Sequence, residues 1–179
     1  MEQSNVLKQI LVKEAEVAFT ITERLFRKIN DNELSWKPET GNNWMTIGQL
    51  LMHCANFGCG KAVKGFITGD WGFPEAAAST DSGNDANLPP ANVLPTVNSV
   101  ANALDLLAED KQLTMNHFNE LDEERLLIER LTAPWGGPET TLFQHLLMMI
   151  EHLTQHKGQL FYYLKLMGQD VNTTDLWGM

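Results

Sequence analysis

The chain is short of several things, and each shortage narrows what it can be. It has only two cysteines in 179 residues. Cys54 and Cys59 fall on one expected helix or its frayed end and lack C-x-x-C spacing, so they are poorly placed for a mutual disulfide and read as reduced packing residues. Basic residues are also scarce. Thirteen Lys and Arg against 23 Asp and Glu give a net charge of -10, which argues against a sequence-independent grip on phosphate backbones, so nucleic acid is not an expected partner. No uninterrupted apolar run approaches the roughly 20 residues that span a bilayer. The start, Met1-Glu-Gln-Ser-Asn-Val, lacks a basic region leading into an apolar one. No membrane association is expected, and a cytoplasmic location follows by default. No HExxH motif is present either: Glu151 directly precedes His152, about 100° away around a helix, and is not placed like a zinc-protease base.

What remains is helical pattern. The length and the 43% hydrophobic content suit one domain, residues 1–179, built on a single core. The chain is organised around residues 140–168, a stretch without proline that ends in Gly168 and holds three of the five histidines. With about 100° per residue, Leu142, Leu146, Met149, Leu153, Leu160, Leu164 and Met167 share one direction, a buried helical face. His145, His152, His156 and Tyr163 cluster to one side of that stripe. His152 and His156 are one turn apart, so one helix can aim both imidazoles at one ion. Two ligands do not close a site. The third candidate is His53, on the apolar pattern Thr46-Ile-Gly-Gln-Leu-Leu-Met-His53.

The other segments read as scaffold. Ser4 to Asn30 predicts a long helix capped by Ser4 or Asn5, with Val6, Leu7, Ile10, Leu11, Val17, Ile21, Leu25 and Ile29 at three- and four-residue intervals. Asp31 to Asn43 is a connection, anchored by Trp36. A second helix starts at Thr46, in a capping box with Gln49, and runs to about Ile67. The Gly- and Pro-rich stretch Gly69 to Pro95 is a long loop, either a cover over the site or a plain insert. A third helix covers Thr96 to about Asn119, with His117 in a structural or surface role near its end. A short helical or extended piece at Asp122–Arg130 and a turn at Thr132–Pro138 follow, and Thr141 with Gln144 forms a second capping box. Thr46-Ile-Gly-Gln-Leu-Leu-Met and Thr141-Leu-Phe-Gln-His-Leu-Leu-Met read alike, a similarity compatible with either duplication or chance. Four long helices with one long crossover predict an all-α four-helix bundle.

Neutral imidazoles suit Zn, Ni, Cu and Fe, and three of them leave positions for water or substrate; the expected cofactor is one divalent Zn, Ni, Mn or Fe ion. Gln159, three residues beyond His156, either orients a ligand or makes an ordinary interhelical bond. His145 lies about 10 Å along the axis from His152, too far to share an ion; it and Tyr163 are pocket walls or bundle residues. Cys54 adjoins His53 but points elsewhere, so it is not assigned as a nucleophile. The plainest reading makes the histidines metal-free core residues.

The order of a long first helix, Trp36-Lys-Pro38, Thr46-Ile-Gly-Gln-Leu-Leu-Met-His53 and His152-x-x-x-His156-Lys-Gly-Gln-Leu with Leu164-x-x-x-Gly168 resembles the DinB family. The likeness is strongest over residues 46–57 and 141–168. It implies a DinB/YfiT-like four-helix bundle with a long loop insertion between helices 2 and 3, and one divalent metal held by His53, His152 and His156. Related branches include transferases and isomerases that use low-molecular-weight thiols. The usual Arg after the last His is Lys157 here. The expected function is therefore a metal-dependent enzyme on a small-molecule substrate, transferring a low-molecular-weight thiol to an electrophile or hydrolysing its substrate. The alternative is a non-catalytic metal- or small-molecule-binding stress protein. A homodimer suits the amphipathic helices and the resemblance.

Overall fold

The computed structural model describes residues 5–72 and 89–178. In chain order the helices are α1 (Val6–Phe26), α2 (Ile47–Asn56), α3 (Gly60–Thr68), α4 (Val100–Asn119), α5 (Glu123–Ile128), α6 (Leu142–Leu166) and α7 (Thr173–Trp177). A two-stranded hairpin, β1 (Arg130–Leu131) and β2 (Thr140–Thr141), lies between α5 and α6. α1 packs against α4 and α6, and the α2–α3 pair packs against the same two helices. This is the expected all-α four-helix bundle. The crossover differs from expectation: α3 and α4 are neighbours, whereas the connections from α1 to α2 and from α4 to α6 join opposite corners.

The core follows the helical stripes. Leu142, Leu146, Leu153, Leu160 and Leu164 of α6 are fully buried, Met149 nearly so, and Met167 packs at the margin. They meet Leu11, Phe19, Leu25 and Phe26 of α1, Leu50 and Leu51 of α2, and Leu107 and Phe118 of α4. Each such side chain contributes about 1.5–3 kcal/mol by leaving water. Trp36 anchors its connection as expected, edge-on to Tyr163 with ring centroids 5.4 Å apart.

Both capping boxes form. Thr46 Oγ1 accepts from the Gln49 amide at 3.2 Å while Gln49 Oε1 accepts from the Thr46 amide at 2.8 Å. Thr141 and Gln144 repeat the exchange at 3.3 and 3.2 Å. Asn5 is the N-cap of α1, as one of the two expected residues, but its side chain accepts no bond there; Ser4, the other, lies outside the described residues. The Leu7 and Lys8 amides instead donate to the Glu123 carboxylate at 2.8 and 3.3 Å. A negative group from the first turn of α5 thus satisfies donors that open another helix, a tertiary cap that local spacing cannot disclose.

The expected helix from Thr46 to Ile67 is two helices. Phe57, Gly58 and Cys59 leave helical geometry, and Gly58 is where the turn tightens, since a Cβ there would run into the Cys54 carbonyl. Of the expected loop Gly69 to Pro95, residues 73–88 lie outside the described residues, and with them its reading as a cover. The Gln49 side-chain amide donates to the Ala91 and Leu94 carbonyls at 2.6 and 3.0 Å, pinning the far end of that stretch to α2. The expected turn at Thr132–Pro138 falls inside the loop of the hairpin. α7, capped by an Asn172–Asp175 box, was not expected from the pattern. Among the described residues no helix is long and apolar enough to cross a membrane.

Candidate metal centre

Two buried stripes bring the three histidines together. α2 presents His53 from one corner of the bundle, and α6 presents His152 and His156 one turn apart from the next. Nε2 of His152 lies 3.2 Å from Nε2 of His53 and 3.1 Å from Nε2 of His156. Each ring offers a ligand nitrogen within 4.8 Å of the others, a group that could hold a metal ion.

Hydrogen bonds on the far side of two rings decide what those nitrogens are. His152 Nδ1 is 2.9 Å from the Gly58 carbonyl, which can only accept, so Nδ1 carries the proton. For His156 the reasoning runs through three groups. Tyr163 donates its O–H to the Met45 carbonyl at 3.1 Å and therefore accepts from Gln159 Nε2, also at 3.1 Å. Gln159 then turns Oε1 toward His156 Nδ1 at 3.1 Å, and Nδ1 must donate. In the neutral rings both Nε2 atoms are consequently lone pairs, facing each other across 3.1 Å. Such a pair repels unless a cation stands between them.

Protons are held off two of the three rings near neutral pH. Burial first, then the neighbouring His156 and His152, lower the pKa of His53 to about 4, and burial and His152 lower that of His156. Neutral imidazoles are the form that binds metal. Ligand nitrogens about 2.0–2.1 Å from a tetrahedral zinc stand about 3.3–3.4 Å apart, close to the separations here. The donor set, its tautomers and its spacing therefore fit a divalent ion.

The site rests on the break between α2 and α3. Asp110 of α4, 5% exposed, accepts from the Gly60 amide at 2.9 Å, and the neighbouring Cys59 and Lys61 amides also favour its charged form. A carboxylate on those amides holds the start of α3, and the break it fixes turns the Gly58 carbonyl toward His152. Gly60 has to lack a side chain, because a Cβ would sit 2.6 Å from the Asp110 carbonyl oxygen. Beside His152 lies a cavity of about 700 Å³, lined among others by Phe57, Lys61, Trp71, Leu113, Trp135 and Met149.

Residues 15–160 match the DinB superfamily. The chain belongs to that superfamily. A DinB-like protein from Bacillus subtilis superposes with a TM-score of 0.62 at 20% identity, covering 89% of this chain and 92% of its own. A DinB-family structure from Exiguobacterium sibiricum gives a TM-score of 0.63 at 18% identity, with 95% and 97% covered. At such identity the two show a shared fold. No curated protein matches the chain.

In this DinB-superfamily chain the other expected site residues separate by position. Gln159 and Tyr163 hold His156, and Tyr163, 2% exposed, is a bundle residue with no place in the cavity lining. His145 is structural. Its Nε2 is 2.8 Å from the Leu131 carbonyl of the hairpin, and its ring stacks on Phe66 at 4.4 Å. Lys157, next in sequence to His156, turns to α7 and donates to the Leu176 carbonyl at 2.9 Å. Glu151 is exposed. The sequence reading missed the Gly58 carbonyl, Asp110 and the cavity aromatics. The two glycines of Asn56-Phe57-Gly58-Cys59-Gly60 carried the signal for the break. Asp110 carried none, standing as one acid in a charged helix.

Proposed function

We propose that the chain is a divalent-metal-dependent enzyme, with His53, His152 and His156 as ligands to one Zn, Ni, Mn or Fe ion, that transfers a low-molecular-weight thiol to an electrophile. The observation that carries the reading is the convergence of imidazole nitrogens, two of them fixed as lone pairs by the Gly58 carbonyl and Gln159. Bound there, the ion supplies Lewis acidity, which lowers the pKa of a thiol or of water. The chain's own residues orient the ligands and shape the cavity beside His152. They offer no thiol of their own: Cys54 and Cys59 are buried, and burial pushes Cys54 up to about 12 and raises Cys59 as well. The nucleophile is then the cosubstrate, whose sulfur gives up its proton and bonds the electrophilic carbon while a leaving group departs with its electron pair. Hydrolysis of a small molecule uses the same site with water as nucleophile.

Elemental analysis of untagged protein beside His53→Ala and His152→Ala is the first test. About one equivalent of metal, lost in both variants, is expected, followed by turnover that saturates with substrate, stops on chelation and returns with metal. No metal uptake after incubation with Zn, Ni, Mn or Fe(II) overturns the site. Metal removal that lowers the Tm while every thiol and hydrolysis assay stays blank would replace the enzyme with a metal-binding stress protein.

A further inference from the structure

The cavity beside His152 has a chemical character of its own. One wall is aromatic: Trp71 and Trp135 stand perpendicular with centroids 5.7 Å apart, and both meet Phe66 edge-on, at 4.8 and 5.6 Å. The arrangement is encoded in α3. Gly65 has no side chain, and any Cβ there would strike the Trp71 indole, so the ring lies directly on the helix backbone. Leu113 and Met149 add apolar surface, and flat faces with flexible apolar neighbours suit a planar organic body.

The charge is unlike that of the chain as a whole. In a protein of net charge -10 the lining carries two lysines and one acid. Asp70 is held by Lys64 at 2.6 Å. Lys61 is exposed and has no ion pair among the described residues; the buried acid whose charge it feels, Asp110, is bonded to the backbone that opens α3. The Lys61 ammonium stands 5.1 Å from the Phe57 ring centroid, and Phe57 in turn stacks along His53 at 6.3 Å. One aromatic ring therefore separates an available cation from the histidine cluster.

We propose that this cavity takes an amphipathic organic anion, a small molecule with a flat apolar body against Trp71 and Trp135 and an acidic group at Lys61. As the substrate class of the enzyme, the inference rests on the metal-centre reading above. As a binding site, it depends on the cavity alone. The ligand's reacting end would then face His152 while its acidic end is held one ring away, which fixes its direction in the site.

The test uses 8-anilinonaphthalene-1-sulfonate and the uncharged N-phenyl-1-naphthylamine as probes, titrated into metal-free and zinc-treated protein. The expected result is saturable 1:1 binding of the sulfonate in both. Lys61→Gln should weaken the sulfonate about 5–10-fold and the uncharged probe less than about 2-fold, the gap closing as salt is raised. Trp135→Ala should weaken both probes about equally, with near-UV circular dichroism showing that each variant keeps its tertiary packing. Equal effects of Lys61→Gln on the two probes, or no saturable binding of the sulfonate to folded protein, overturn the proposal. Zinc uptake is scored separately, so a chain that binds the probe but takes up no metal fails only the metal reading.

Discussion

The proton on His152 Nδ1 points at the Gly58 carbonyl, 2.9 Å away, and this single bond couples the ligand on α6 to the break between α2 and α3. The coupling makes a backbone irregularity part of the site. A straight helix through Phe57–Cys59 would commit that carbonyl to its own ladder and leave His152 free to rotate.

Gly58→Ala tests the coupling. Its Cβ would press on the Cys54 carbonyl and lie 3.2 Å from Leu153 Cδ1, so the break must shift. A loss of about 1–3 kcal/mol in urea unfolding is expected, with zinc affinity about 10-fold weaker in a chelator competition. Gly158→Ala is the contrast. Nothing lies within 4 Å of the added Cβ in the middle of α6, and about 0.5–1 kcal/mol of stabilisation should follow. Undiminished zinc affinity in Gly58→Ala would show that the carbonyl does not orient His152.

Tyr163→Phe keeps the ring against Trp36 and Trp44 and deletes one O–H. The Met45 carbonyl then loses its donor and Gln159 its acceptor, freeing the amide to turn and present N–H to His156. Zinc affinity should fall about 10-fold and stability by about 1–3 kcal/mol. A stability loss without an affinity loss would confine Tyr163 to packing.

The sequence made α6 legible because one helix carried its stripe, its cap and two ligands within a continuous pattern. His53 was found for the same reason, lying seven residues past a capping Thr on an apolar helix. What stayed hidden depends on contacts between distant segments. Glu123 caps a helix that begins more than a hundred residues earlier, and Asp110 reaches from α4 to the start of α3. Adjacency to His156 did not say which surface Lys157 would meet, because neighbours in sequence on a helix point about 100° apart. The residue beside a ligand therefore serves a different surface, here α7.

Asp110 also predicts a pH dependence. Burial raises its carboxyl from 3.8 to about 6 in the folded chain, against the amides that favour the charged form. Between about pH 4 and 6 the folded state therefore holds more of this proton than the unfolded state does. Its contribution to stability is full below about pH 4 and is lost as pH rises through about 6. Asp110→Asn removes the titration, so the stability of metal-free wild type relative to the variant should fall by about 2–3 kcal/mol from pH 4 to 7. The histidine contributions are common to both proteins and cancel. A constant difference across that range would mean that Asp110 ionises alike folded and unfolded.

Lys157 separates the bundle from the metal. Its side chain is 5% exposed, burial pulls its pKa down, and the bond from Nζ to the Leu176 carbonyl satisfies an acceptor near the end of α7. α7 has only five residues, so it depends on such ties and on its packing against α1 and α6. Lys157→Met fills the same channel without the donor. Loss of the bond and relief from burying an ammonium oppose each other, so global stability should change by less than about 2 kcal/mol. Amide exchange should quicken selectively at Thr173–Trp177, where the carbonyl has lost its partner, while the protection of α6 stays as it was. Metal content and zinc affinity should match wild type even though His156 is the adjacent residue. A fall in affinity with α7 still protected would tie Lys157 to the metal centre.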